Sequence, residues 1–430
     1  MRKYQQLLLV LISCISIVVL LTYKSENSRL KDVLTAVHFF SRKDVEELRL
    51  ITNFTASNEV NIDFNRPLPV WQRIADSFYA YASFYQRNEL MSSGGEILTL
   101  VTGKVGAVVN FRCKALYKDG RQIQGKFRFQ HLNQENNKSD DEFKNYIFYC
   151  RLKSYSEIPY SIVYTDLSVA ETNMEHKLRL RYITKNQENN APQTQMTICL
   201  DLINFNMSSS FAYNYAYMLE FFLHHFVIGV NQFIVYNGDE LSEDLLRRLR
   251  KEKDIHVQSL PFNFPFANNG TSTSSLREII TTDCLLRSIQ RTKYALLLEP
   301  NEFFIPNTKL SNDNSVVYSL NSHNTIETAF ELKTYAVCTD HKIILLTNNS
   351  FHDPEFVNSH KINIFRPVVP VSSTISNTVN LSPSLGFAHK YIDCLHVGKD
   401  GLHPWQNTMR EDFMNNLNMY RREVDKLIAN

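Results

Sequence analysis

The feature that most constrains this chain is a change of hydrophobic period across a polar linker. Residues 184–195, "TKNQENNAPQTQ", are polar, hold a proline and contain no apolar run, the composition of a connection rather than of a packed element. Before it, "EILTLVTGKVGAVVNFRCKALYKDGRQIQGKFRFQH" (96–131) alternates apolar and polar residues, with Asp119-Gly120 as a turn signal. The same alternation returns in "YIFYCRL", "YSIVYTD" and "HKLRLRYI". A period of two is that of half-buried strands, so residues 96–190 read as a mostly antiparallel β module.

After the linker the elements change in kind. "MTICLDLI" reads as a strand, and "FAYNYAYMLEFFLHHFVIG" as a helix closed by Gly229. "QFIVY" is a strand, "SEDLLRRLRKEK" an amphipathic helix and "IHVQSL" a strand. "SSLREIITTDCLLRSIQRTK" is a helix and "YALLL" a strand. The order β-α-β-α-β-α-β calls for a parallel sheet with covering helices, in which ligands sit beyond the carboxyl ends of the strands. Further strand-like pieces ("TIETAFEL", "KIILL", "KINIFRP") and a terminal helical stretch complete residues 195–430, read as one domain.

The N-terminal part has a different character. Arg2 and Lys3, within a short tail (1–6), precede 17 residues without a charge (7–23). That length is near the lower limit for a membrane span. An uncleaved signal anchor with a lumenal C-terminal portion is the expectation; a cleaved signal peptide is the competing reading, and the absence of a small-residue cleavage site argues against it. Residues 24–95 read as a stem, with helix-like spacing at Trp71, Ile74, Phe78 and Tyr81. Of seven cysteines, Cys14 lies in the apolar segment. The other six (Cys113, Cys150, Cys199, Cys284, Cys338, Cys394) allow up to three disulfides in an oxidising lumen, with pairing open. Sequons at Asn53, Asn137, Asn206, Asn269, Asn348 and Asn380 permit a secretory route. The net charge of +2 and 21% charged residues argue against a nucleic-acid partner. Neither glycine-rich phosphate-loop signature is present.

Chemistry concentrates where the last of these strands ends, in "YALLLEPNEFFIP" (294–306). Two acids at i and i+2 on an extended strand end can hold one hard cation, which wants oxygen ligands and carboxylate charge and can act as Lewis acid for a departing diphosphate. Here those positions are Glu299 and Asn301, separated by Pro300 and followed by Glu302. The stretch reads either as a metal site with one charge removed or as solvent-facing strand-end acids. His224 and His225 on an apolar helix read as packed or surface histidines rather than ligands. Asp283 beside Cys284 is a site candidate or a helix-surface acid. His389 and His396 flank Cys394 and are each either a third metal ligand or a packed histidine. Glu299 and Glu302 are too close in sequence to be the facing carboxyls of a glycosidase.

These residues resemble glycosyltransferase family 92. The resemblance is carried by Cys199, Glu220, "IGVNQFIVYN" (228–237), Asp283-Cys284, "KYALLLEPNEFFIP" (293–306), "HKINIFRP" (360–367) and the region of His396. It implies an α/β, GT-A-like nucleotide-sugar-binding domain with the preceding antiparallel β module and an N-terminal membrane anchor. It further implies a single-pass type II protein of the Golgi, with its catalytic domain lumenal. The implied activity is inverting transfer of galactose from UDP-galactose to a glycan acceptor, with Mn²⁺. By position, Glu299, Asn301 and Glu302, with His396, would hold the metal, and Asn237, Asp283 and Glu299 would lie at the nucleotide sugar. The Asn at the second acid position also leaves room for a catalytically silent glycan- or nucleotide-binding relative. The catalytic base is unassigned.

Overall fold

The computed structural model describes residues 69–87, 94–132, 142–153, 157–168, 177–183, 194–203, 215–236, 241–249, 255–266, 273–306, 320, 328–339, 351–352, 362–367, 378–383, 385–393, 403–404, 422 and 426. Asn237, Cys394 and His396 lie outside them, as does the apolar segment 7–23.

The first eight strands are β1 (Gln72–Ala75), β2 (Phe78–Arg87), β3 (Gly94–Lys104), β4 (Phe111–Leu116), β5 (Gln122–His131), β6 (Phe143–Lys153), β7 (Ser161–Asp166) and β8 (Lys177–Ile183). Their order is β1-β2-β3-β6-β5-β4-β7-β8, and β8 also pairs with β2 in parallel. That last pairing closes seven strands into a barrel and leaves β1 attached outside the ring. Closure removes the exposed edges that an open antiparallel module would carry.

The barrel begins earlier than the alternating pattern suggests. "QRIADSFYAYASFYQR" forms β1 and β2, a bulged antiparallel pair, and not a helix within a stem. The reason is two-sided burial. Phe78, Ala80 and Tyr85 point into the barrel core with Ile97, Val101, Phe111, Phe148 and Tyr164. Tyr81, Ala82 and Phe84 face outward but pack on a second core. A strand apolar on both faces loses its period of two, and the spacing of its aromatics imitates a helix. By contrast, β5 has one solvated face and shows clean alternation.

The Cys113–Cys150 disulfide links β4 to β6 across the intervening β5. It crosses at Gly125, where an added Cβ would lie 2.3 Å from Cys150 Sγ and 3.0 Å from Cys113 Sγ. Only glycine leaves room for this bridge.

The elements that follow are β9 (Thr194–Asp201), α1 (Tyr215–Val227), β10 (Gln232–Tyr236), α2 (Glu243–Leu249), β11 (His256–Leu260), α3 (Thr273–Ser288), β12 (Thr292–Leu298), β13 (Glu302–Pro306), β14 (Ala329–Leu332), β15 (Thr334–Thr339), β16 (Phe351–His352), β17 (Ile362–Phe365), β18 (Thr378–Asn380), β19 (Gly386–Asp393) and β20 (His403–Pro404). A seven-stranded sheet runs β11-β10-β9-β12-β17-β14-β18. Its first four members are parallel and joined by helices, as the sequence order predicts. Then β17 pairs antiparallel to β12 and to β14. A smaller sheet, β13-β19-β15, takes over where the chain leaves β12. Helix α1 ends at Gly229, whose φ of 98° is a left-handed C′ conformation.

The expected α/β, GT-A-like fold is therefore corrected, while the expected anchor at residues 7–23 lies outside the described residues. The chain is mostly β, with twenty strands against three helices among the described residues, and its N-terminal strands close into a barrel rather than forming an open module. Among the described residues no helix is long and apolar enough to cross a membrane. Alternation of helix and strand is local to residues 194–298, and strand pairing dominates on both sides of it.

Barrel and sheet share one core. The outward faces of β2, β3 and β6 pack with Leu276, Ile279, Ile280 and Leu286 of α3. Trp71, Tyr81, Phe262 and Phe264 form an aromatic cluster between them, and Tyr81 OH donates to the Pro261 carbonyl at 2.8 Å. Helix α3 thus lies between two β layers. A disulfide, Cys199–Cys284, ties it to β9. Of the remaining candidate pair, Cys338 lies in β15 and Cys394 lies outside the described residues.

Candidate functional site at the ends of the parallel strands

The four parallel strands end together. Tyr236 pairs in register with Asp201, and Leu298 with Leu200, so Glu299 emerges at the level of Asp201. This is the edge where the fold predicts a ligand.

Residues 299–302 are not an extended strand end. The Glu302 N–H donates to the Glu299 carbonyl at 3.0 Å, closing a four-residue turn with Pro300 at the position that proline favours. Neither central residue has a positive φ, so the turn is not type II. The turn brings together i and i+3 rather than i and i+2. Glu299 and Glu302 meet, the Glu299 N–H donating to Glu302 Oε2 at 2.8 Å. Asn301 turns elsewhere: its Nδ2 donates to the Tyr391 carbonyl at 2.8 Å, and its own carbonyl accepts from the Tyr391 N–H at 2.8 Å. Its role in the geometry is to pin the turn to β19.

Two cations close on the two acids. Lys390 on β19 is the cross-strand partner of Glu302. Its Nζ donates to Glu299 Oε2 at 2.7 Å and to Glu302 Oε1 at 3.0 Å. Arg277, from the first half of α3, donates from Nη1 to Glu299 Oε1 at 2.8 Å, and its Nη2 stands 3.6 Å from Glu302 Oε2. Burial alone would lower the pKa of Lys390, but the facing Glu302 and Glu299 outweigh it and hold the ammonium above the ordinary lysine range. For Arg277, burial opposes and Glu302, Glu299 and Asp201 raise its pKa. Asp201 is buried at the end of β9 and accepts from the Ile203 N–H at 3.0 Å.

The histidine pair lies behind the turn. His224 Nε2–H donates to the Phe304 carbonyl at 2.9 Å. His225 Nδ1–H donates to the Phe221 carbonyl at 2.8 Å, and its Nε2 accepts from the Phe304 N–H at 3.3 Å. Both are fully buried, and desolvation pushes His224 down to about 4 and His225 well below its usual range. They are neutral packing residues that fix β13, as their apolar helix predicts. His389 is buried one residue from Lys390, on the opposite face of β19, with Phe387 and Tyr391.

Asp283 stands apart from the strand ends. It is buried on α3, where it accepts from Tyr236 OH at 2.7 Å and from Arg287 Nε and Nη2, the latter at 2.9 Å. Arg287 lies over the Phe84 ring of the barrel at 5.6 Å. Burial and the Arg287 charge lower the pKa of Arg181 on β8, with Asp283 opposing them, which places this barrel residue in the same cluster.

The expected Mn²⁺ fits poorly with the described part of its donor set. All four carboxylate oxygens of Glu299 and Glu302 already face Arg277, Lys390 or the Glu299 N–H. Among the described residues no three His, Cys, Asp or Glu side chains group as metal ligands. Of the sequence-derived candidates, the structure brings Glu299 and Glu302 together, turns Asn301 to Tyr391 and puts Asp283 in the α3 cluster; Asn237 and His396 lie outside the described residues. Sequence reasoning missed Arg277, Lys390 and Asp201.

Residues 195–365 match the family model for glycosyltransferase family 92. The matched segment runs from β9 through β17 and includes Arg277, Glu299 and Glu302 but not Lys390, and the match supports a glycosyltransferase. No curated protein matches the chain in sequence. Among solved structures it is similar to the 4-diphosphocytidyl-2C-methyl-D-erythritol synthase from Anaerococcus prevotii DSM 20548, at 10% identity over 54% of this chain and 100% of that one, with a TM-score of 0.22. It is also similar to the amylomaltase from Corynebacterium glutamicum, at 9% identity over 33% of this chain and 19% of that one, with a TM-score of 0.13. Likenesses this weak carry no argument about fold or activity.

Proposed function

We propose that the protein is a nucleotide-sugar-dependent glycosyltransferase acting on a glycan acceptor in the secretory pathway, with galactose from UDP-galactose as donor, inversion at the anomeric carbon and the Golgi lumen as its place. The observation that carries the reading is the coincidence of the family 92 segment with four parallel strands whose carboxyl ends converge on one edge. Two disulfides agree with an oxidising compartment. In this reading the acceptor hydroxyl attacks the anomeric carbon as a general base takes its proton, and the nucleoside diphosphate leaves beside the Glu299–Glu302 turn. Galactose, inversion and the Golgi come from the family resemblance.

A second reading is a silent nucleotide- or glycan-binding relative. It is favoured by the engagement of every carboxylate oxygen of the turn by the protein itself. One experiment separates the two: calorimetry of UDP-galactose and UDP on the full chain, followed by release of UDP in the presence of a mixed glycan acceptor panel. Binding with acceptor-dependent release supports the transferase. Binding without release supports the silent relative. Absence of both sinks the donor-site reading.

A further inference from the structure

We propose that the Lys390 ammonium is the resident cation of the Glu299–Glu302 turn, bridging the two carboxylates as a divalent ion would, so that nucleotide-sugar binding at this edge needs no divalent metal. The inference deepens the transferase reading and rests on it only for its nucleotide arm.

Four observations carry it. Lys390 Nζ lies 2.7 Å from an oxygen of one glutamate and 3.0 Å from an oxygen of the other, a bridging geometry rather than a single ion pair. The position is built into the sheet, because Lys390 is the register partner of Glu302; a long side chain straying across the surface would have no such constraint. Arg277 takes the two remaining oxygens, so the two acids are matched by two cations. Asn301, at the second of the two expected acid positions, is neutral, and its amide nitrogen is committed to Tyr391. A divalent ion entering here would displace a lysine or sit beside it, and like charges at such separations repel strongly in a poorly solvated site. Glu302 is 0% exposed, and a buried carboxylate stripped of its cation is costly. Removing Lys390 therefore leaves two converging carboxylates in want of a cation.

The test is titration of Mn²⁺ into the full chain, read by the loss of the free-ion electron paramagnetic resonance signal. Wild type, Lys390→Ala, Lys390→Arg and Lys390→Ala/Glu299→Gln are compared. The wild type and Lys390→Arg are expected to show no saturable site that depends on the turn. Lys390→Ala is expected to gain a site at least about tenfold tighter than any in wild type, and the added Glu299→Gln to abolish it. The proposal is overturned by a saturable wild-type site that Glu299→Gln removes, or by a folded Lys390→Ala that gains none. Should Lys390→Ala not fold, wild type against Glu299→Gln alone decides: equal Mn²⁺ curves support the proposal and a lost site overturns it. None of these readings uses nucleotide, so absence of UDP binding would refute the transferase reading and leave this inference standing or falling on its own data.

Discussion

Helix α3 carries two buried charge clusters, nearly two turns apart, with opposite relations to solvent. Near its start, Arg277 meets Glu299, Glu302 and Lys390, whose side chains are 22%, 15%, 0% and 11% exposed. Farther along, Asp283 and Arg287 are 0% and 1% exposed, sealed between the barrel and the sheet. The first cluster lies at the carboxyl ends of the parallel strands, the edge where such sheets take ligands. The second joins Tyr236 of the sheet to Phe84 and Arg181 of the barrel. Similar residue types thus do different work: one cluster presents charge at an edge, the other locks two β layers across a helix. The location of each follows from what surrounds α3: the strand ends near Arg277 and the barrel's outward face near Asp283 and Arg287.

The comparison can be broken most forcefully at the sealed cluster. Asp283→Ala should cost about 3–5 kcal/mol, because it strands the Arg287 guanidinium in the core. Asp283→Leu/Arg287→Met should recover much of the loss. Urea denaturation of the single and double variants checks both. A small effect of Asp283→Ala would deny the lock.

The next largest effect lies beside it. Cys199→Ser/Cys284→Ser removes the bridge between α3 and β9 and should lower stability by about 2–4 kcal/mol. In the same chain Cys113→Ser/Cys150→Ser acts on the barrel alone, so comparing the two melting profiles separates the lock from the barrel.

Acidification sharpens the contrast from the side of the turn. His224 titrates near 4 when folded, against about 6.5 unfolded. Below about pH 6.5 the unfolded chain binds the extra proton, so stability falls with pH across the window from about 6.5 to 4. From pH 7 to 5 the loss from His224 should be about 2 kcal/mol, and His225 adds to it in the same direction. Replacing His224 with Gln should flatten the pH dependence of denaturation over that window.

The smallest effect belongs to the edge. Glu299→Gln, partly exposed, should cost about 1 kcal/mol, well below Asp283→Ala. An equal cost at both positions would mean that the turn is as structural as the lock.

These regions also differ in how far the sequence reveals them. Residues 122–131 are readable because one-sided burial leaves a period, and the helix–strand order after residue 194 because short continuous apolar runs alternate with longer helical stretches. Residues 72–87 are not, because the barrel core and the α3 core bury both faces of β2. Gly229 is legible as a helix end, since only its conformation is at stake. The acids at 299 and 302 are visible as a cluster, and proline at 300 is a turn signal that an extended-strand reading overlooks. What sequence could not supply is Lys390, which lies 88 residues from Glu302 and meets it only through the pairing of β13 with β19. The neighbouring histidine draws attention in that stretch, but β19 turns it to the other face. Asp283 looks like a site residue for a similar reason: an acid next to a cysteine on a helix gives no hint that a barrel covers it.

The central claim is that the turn at the strand ends belongs to a donor site already supplied with its own cations. Its most direct test is calorimetric titration of UDP into the full chain, once with chelator and once with Mn²⁺. The account predicts one saturable site with the same affinity in both, within about twofold. Binding that appears only with Mn²⁺ would contradict it.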